Sequence, residues 1–180
     1  EILFLFFLKL KTRGAAFWFA IAPHEPGEQS LASIEKKLKD MGLASIRFSE
    51  AYRGKGNEGD ILVVDRVGIL AELYALADVC YVGGGFGPGV HSVIEPAALG
   101  NPVLFGPKNS HSFEAALLKS RGAGIECVNE ADLEEVLYSL LTDKSKREKL
   151  GNKALMLVKQ NAGATELIID KLADTIRKHG

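Results

Sequence analysis

The 180-residue chain is 47% apolar and 25% charged, an ordinary composition for a globular domain with one sizeable core. Its formal net charge of −1 gives no electrostatic footprint for nucleic acid or an anionic membrane, so no nucleic-acid partner is expected. The two cysteines, Cys80 and Cys127, make neither a disulfide framework nor a metal motif and read as core thiols in a reducing compartment.

The opening run, Glu1-Ile-Leu-Phe-Leu-Phe-Phe-Leu-Lys-Leu10, falls well short of the about 20 residues that a membrane span needs. It has no initiator Met and no basic lead-in, so it does not resemble a signal peptide. It is expected to be a core helix or strand of a chain cut from a longer protein. Lys9 to Gly14 reads as a helix end, and Ala16 to Ala22 as a strand from the middle of a parallel sheet. Pro23 to Gly27 is the loop after it. Leu31, Ile34, Leu38 and Met41 form a helical stripe closed by Gly42, and Ile46 to Phe48 is a short strand. Tyr52 to Gly59 is a polar, glycine-rich exposed loop.

Asp60 to Val64 is the next buried strand, Asp65 to Gly68 a turn, and Leu70, Leu73, Tyr74 and Ala77 a helix. Asp78 to Val82 is a further buried strand. Five glycines in seven residues follow (Gly83, Gly84, Gly85, Gly87, Gly89), and from His91 the spacing of Val93, Ile94, Ala97 and Ala98 is helical until Gly100 and Pro102. Val103 to Phe105 is a strand, about His111 to Ser120 a helix, and Gly124 to Val128 a strand. Asn129 looks like an N-cap with Asp132 at the third helical position. Ala131 to Leu141, Lys144 to Gln160 and Ala164 to Lys178 complete a helical tail, whose stripe of Leu167, Ile168, Leu172 and Ile176 belongs to a core or a domain interface. The alternation predicts one α/β domain with a doubly wound, mainly parallel, Rossmann-like sheet. Ligands of such sheets bind beyond the C-terminal ends of the strands, here the loops 23–28, 65–69 and 83–92.

The glycine cluster fails G-x-G-x-x-G in every register, and neither a P-loop nor a G-x-S-x-G elbow is present. What remains is G-G-G-x-G-x-G-x-H-x-x-x-E-P. Its glycines allow close approach of backbone to a ligand, and His91 and Ser92 fall near a helix start. The dipole there favours phosphate by about 0.3–2 kcal/mol. Glu95, a turn further on, is placed to accept hydrogen bonds from a ribose diol.

These residues resemble the C-terminal half of the 3-deoxy-D-manno-octulosonic acid (Kdo) transferases of lipopolysaccharide biosynthesis, which have the two-domain GT-B fold. Val82-Gly83-Gly84, Gly89, His91, Glu95-Pro96-Ala97, Gly100, Pro102-Val103 and Gly106-Pro107 carry the likeness. So do Asp65 to Tyr74 with Ala77-Asp78-Val79, and more weakly Pro23 to Glu28 and Asn161 to Ala164. The resemblance implies a nucleotide-sugar-binding domain spanning residues 1–180, with the acceptor domain absent. It implies an inverting glycosyltransferase that uses CMP-Kdo as donor, needs no cofactor or bound metal, and works on a lipid A precursor at the cytoplasmic face of the inner membrane. Contacts to acceptor and membrane would fall to the missing domain. So would the general base, which leaves no catalytic residue here and an inactive fragment.

The CMP contacts carried over are Pro23 and His24; Val67, Gly68 and Ile69; Gly84, Gly85 and His91; and Ser92, Val93, Ile94 and Glu95. This chain departs from the family in having His24 for an arginine, Ile69 for a glutamate and Ser92 for an asparagine; Ser92 is still able to cap a helix. Each position also has a plainer reading: His91 as a cap, Glu95 as a solvated first-turn acid, and His24 and Glu25 as loop polar groups. Lys108 is either a phosphate-neutralising cation or a surface lysine, while His111, His179 and the basic residues of 144–149 belong to the surface. Alternative functions are a GT-B transferase or epimerase using a UDP-sugar, or a non-catalytic nucleotide-binding module.

Overall fold

A computed structural model describes residues 6–9, 18–54 and 61–162, and the chain divides into two compact units, Glu1–Leu70 and Ala71–Gly180. The tail helix predicted from Ala164, with its apolar stripe and His179, lies outside the described residues, as do residues 55–60.

In the first unit, β1 (Phe19–Ile21), β2 (Ser45–Arg47) and β3 (Ile61–Val63) form a parallel sheet in the order β1-β3-β2. Parallel strands require a crossover, and α1 (Glu28–Asp40) supplies the one from β1 to β2. Its predicted stripe faces the core, where Leu31 and Leu38 are buried with Phe7, Leu43, Ile61 and Val63. Phe6 and Phe7 of the opening run are buried too. Of the strand predicted at Ala16 to Ala22, the described part is β1, which pairs only with β3 among the described residues, and Ala20 is exposed. Phe48, read as a strand residue, instead starts the short helix α2 (Phe48–Tyr52).

In the second unit, β4 (Cys80–Val82), β5 (Val103–Phe105) and β6 (Ile125–Glu126) are parallel and in sequence order. Around them lie α3 (Leu70–Leu76, which begins at the unit boundary), α4 (Ile94–Ala98), α5 (Phe113–Ser120), α6 (Glu130–Thr142) and α7 (Lys144–Asn161). Val82, Val93, Ala97, Val103, Phe105, Ala115 and Leu118 form the core with Ala154 and Leu157 of α7. Cys80 and Cys127 are buried and free, and burial pushes both thiols up to about 12.

Three helices end the same way. Beyond α1 and α4 the amides of Leu43 and Asn101 reach back to Leu38 and Pro96 (2.9 and 3.1 Å), and beyond α5 that of Ala123 reaches Leu118 (2.8 Å). The residues before them, Gly42, Gly100 and Gly122, adopt φ of +72°, +81° and +59°. This is the Schellman arrangement that a terminal glycine permits. The Asn129 cap also forms: its side chain accepts from the Asp132 amide at 2.9 Å, while Asp132 accepts from the amide of Val128, not that of Asn129.

Candidate functional site

The loops after β1 and β3 leave the same edge of the first sheet, since Ile21 and Val63 are register partners. Pro23 is half-buried and His24 exposed; His24, Glu25, Gly27, Gln29 and Ser30 line an open depression at the start of α1. The turn after β3 is tied down by Asp65, whose carboxylate accepts from the Ser49 amide (2.9 Å) and from the Ser49 hydroxyl. Burial opposes the charged form of Asp65, but these bonds outweigh it and hold the carboxyl below its ordinary value. Beyond this anchor Val67 is 79% exposed, Gly68 adopts φ +82°, and Ile69 is half-buried.

Arg47, at the end of β2, is occupied. Its guanidinium pairs with both oxygens of Glu35 (2.6 and 2.9 Å) and both of Glu28 (2.8 and 2.7 Å). Such fork-shaped, charge-assisted pairing satisfies the cation within the fold. The signal was available, because Glu28 and Glu35 lie two turns apart on one helix face.

In the second unit the loop after β4 folds back on itself. The amides of Gly87 and Gly89 donate to the Gly84 carbonyl (2.7 and 3.0 Å), and that of His91 to the Gly83 carbonyl (3.3 Å). The loop is also stitched to the segment after β5. The Lys108 amide donates to the Gly85 carbonyl (2.8 Å), and Val90 donates to the Lys108 carbonyl (3.1 Å). Four amides of the loop whose backbone is expected to approach a ligand are therefore committed to carbonyls. The glycines have an internal cause as well. A Cβ on Gly84 would overlap the Gly89 carbonyl oxygen, and one on Gly85 would stand 2.5 Å from the Gly106 nitrogen.

The helix also starts later than the apolar spacing suggests. α4 begins at Ile94 with Val93 as N-cap and no side-chain cap bond, so Ser92 does not cap it. The bonds to Gly83 and Lys108 hold residues 90–91 outside the helix. A five-residue helix carries less dipole than one running from His91 to Gly100 would, and with Pro96 in third position the amides free of intrahelical partners include those of Ile94 and Glu95. Val93 is 1% exposed and built into the core, which leaves its backbone for any ligand. Ser92, Ile94 and Glu95 are exposed, as is the His91 ring, which lies against Gly84: a Cβ there would come 3.4 Å from His91 Cδ2. Near α4 the Tyr74 hydroxyl is pushed up to about 12, by burial first and then by Cys80 and the Glu95 charge.

The structure thus brings Gly84, Gly85, His91 and the Lys108 backbone together, with Ser92 to Glu95 next in chain. Pro23, His24 and Val67 to Ile69 share the strand edge of the other unit. A network the sequence reading passed over, Asn109 with Glu126 and Lys119, lies behind the glycine loop.

No protein-family model matches the chain. Among curated proteins, the 3-deoxy-D-manno-octulosonic acid transferase of Aquifex aeolicus is 33% identical over 146 residues, 80% of this chain and 39% of that protein. The same enzyme of Bordetella pertussis is 30% identical over 156 residues, 86% of this chain and 36% of the relative. Among solved structures, the C-terminal CMP-Kdo binding domain of WaaA from Acinetobacter baumannii matches with a TM-score of 0.68 and 20% identity, over 77% of this chain and 72% of that one.

Over four fifths of its length the chain is similar to Kdo transferases. It spans about two fifths of the length of these curated relatives. Its fold is the Rossmann-like α/β fold of the WaaA domain. Among the described residues no helix is long and apolar enough to cross a membrane.

Proposed function

We propose that this chain is the donor-binding part of a glycosyltransferase that moves Kdo from CMP-Kdo to a lipid A precursor, with inversion, at the cytoplasmic face of the inner membrane. The likeness to transferases of that name carries the reading, and the shared fold with a CMP-Kdo binding domain supports it. In this reading Pro23, His24, Val67, Gly68, Ile69, Gly84, Gly85, His91 and the start of α4 are the candidate nucleotide contacts. Glu95 accepts from the ribose hydroxyls, and the amides of Ile94 and Glu95 face the phosphate. The His91 side chain adds a polar contact there as charge develops on the departing cytidylate. Acceptor, membrane and general base are met by other parts of the enzyme, and the donor is handled without a metal or cofactor.

Calorimetry on this chain tests the proposal. CMP and CMP-Kdo are expected to bind, UDP and UDP-sugars to give no heat, and Glu95→Ala to weaken CMP at least about tenfold, the loss of a hydrogen bond to a charged group. Binding of UDP-sugars without a response to CMP would replace this reading with the UDP-sugar alternative.

A further inference from the structure

Among the described residues two polar side chains are buried, Asn101 and Asn109. Asn101 simply satisfies the Tyr74 carbonyl at 2.7 Å. Asn109 does more. Its amide nitrogen donates to the Gly106 carbonyl (3.0 Å) and to Glu126 Oε2 (2.6 Å), while Glu126 Oε1 accepts from Lys119 (2.7 Å). The Asn109 backbone carbonyl accepts from the amide of Ser112 (3.0 Å), the residue that caps α5. The side chain therefore joins the end of β6 to the segment 106–109, and the backbone of the same residue holds the start of α5.

That segment is the wall on which the glycine loop rests. Gly106 packs backbone against backbone with Gly85, and Lys108 bonds the loop at both Gly85 and Val90. Gly106 is held by the Asn109 side chain, and Gly106 and Lys108 both meet the glycine loop. Burying an amide next to a carboxylate is costly unless both are paired, and here both Glu126 oxygens have donors. The expense would be unnecessary if the segment had only to fill space, which the surrounding apolar residues do.

We propose that Asn109 and Glu126 are positioning residues: through the 106–108 segment they fix the glycine loop 84–91 in the shape that receives the donor nucleotide. The effect on the nucleotide rests on the reading given above; the effect on the loop does not.

Amide hydrogen exchange, followed by NMR without any nucleotide, reads the loop directly. CMP titration of the same samples reads the site. In Asn109→Ala the amides of Gly87, Gly89, Val90 and His91 are expected to exchange about tenfold faster, with those of Leu137 and Leu140 in α6 unchanged. CMP affinity should fall by a similar factor. Glu126→Gln, which keeps the shape and loses the charge, should give the same pattern at smaller amplitude, and it carries the test if the alanine variant does not fold. Unchanged exchange in the loop, or equal acceleration in α6, overturns the proposal. Failure of the unmodified chain to bind CMP overturns the nucleotide reading instead, and the exchange data still decide whether the loop is positioned this way.

Discussion

The turn after β3 and the loop after β4 both rely on glycine, and they do so under opposite conditions. Gly68 adopts φ +82° with nothing within 4 Å of where a Cβ would stand, beside a Val67 that projects into solvent. Gly84 adopts φ +88° against the Gly89 carbonyl, and Gly85 has ordinary φ but lies on Gly106. In the first case glycine is needed for the backbone angle alone. In the second it is needed because two stretches of main chain touch. A glycine-rich stretch beyond a strand is therefore weak testimony for a ligand until its internal contacts are counted, and the exposed residues beside it (His91, Ser92, Glu95) carry more of the argument.

The sharpest test of this contrast is alanine at each place. Gly85→Ala puts a methyl 2.5 Å from the Gly106 nitrogen, backbone against backbone with no flexible side chain to yield. It is expected to cost about 3 kcal/mol or more, the upper end of overpacking. Gly68→Ala meets no atoms and pays the left-handed backbone alone, about 1–2 kcal/mol. Thermal unfolding of the two variants separates them by several degrees. Equal melting temperatures would mean that the crowding at Gly85 relaxes freely, and the distinction would be lost.

Each of the two regions also hangs on one carboxylate, Asp65 in the turn and Glu126 behind the loop. Glu126 is held below its ordinary value by Lys119 first and Asn109 second, against burial. For Asp65 burial is the largest influence and acts the other way, yet the bonds from Ser49 leave the carboxyl lowered. Depressed folded-state values mean that both contributions are complete above the ordinary carboxylate range and are lost as pH falls through the folded values. Melting temperature followed from about pH 6 to pH 3 should fall less steeply in Glu126→Gln, and in Asp65→Asn, than in the unmodified chain. A parallel fall in all three would remove these groups from the acid response.

Much of this was legible in the sequence. The stripe of α1, the caps at Asn129 and Gly42, and the strands at 61–63, 80–82 and 103–105 all follow from local pattern, because local steric and apolar preferences decide them. The turn at Asp65 to Gly68 was legible for the same reason. What escaped was set by contacts between distant residues. Nothing local separates Phe48 as a strand residue from Phe48 as a helix start. The delayed start of α4 depends on Val90 finding Lys108 and His91 finding Gly83. The Gly85–Gly106 contact joins residues 21 apart in sequence, and Asn109 gives no hint of Glu126 until β6 lies beside β5. The candidate nucleotide residues were found through family resemblance; the parts that shape the loop holding them were not, since they carry no motif.

The smallest effect expected belongs to Gly27, the N-cap of α1. It has neither demand seen above: φ is −70°, and no atom lies within 4 Å of a Cβ. Its side-chain position is simply unused, and the helix start has no side-chain cap bond. Serine fits that backbone and offers an oxygen to the first-turn amides, so Gly27→Ser should stabilise the first unit by a few tenths of a kcal/mol, about 1 °C. Because Gly27 lines the depression beside His24, the same variant reports on the site. If that depression receives part of the nucleotide, an added hydroxymethyl group changes CMP affinity while the melting temperature barely moves. A variant that gains the stability and binds CMP unchanged removes the depression beside His24 from the nucleotide site.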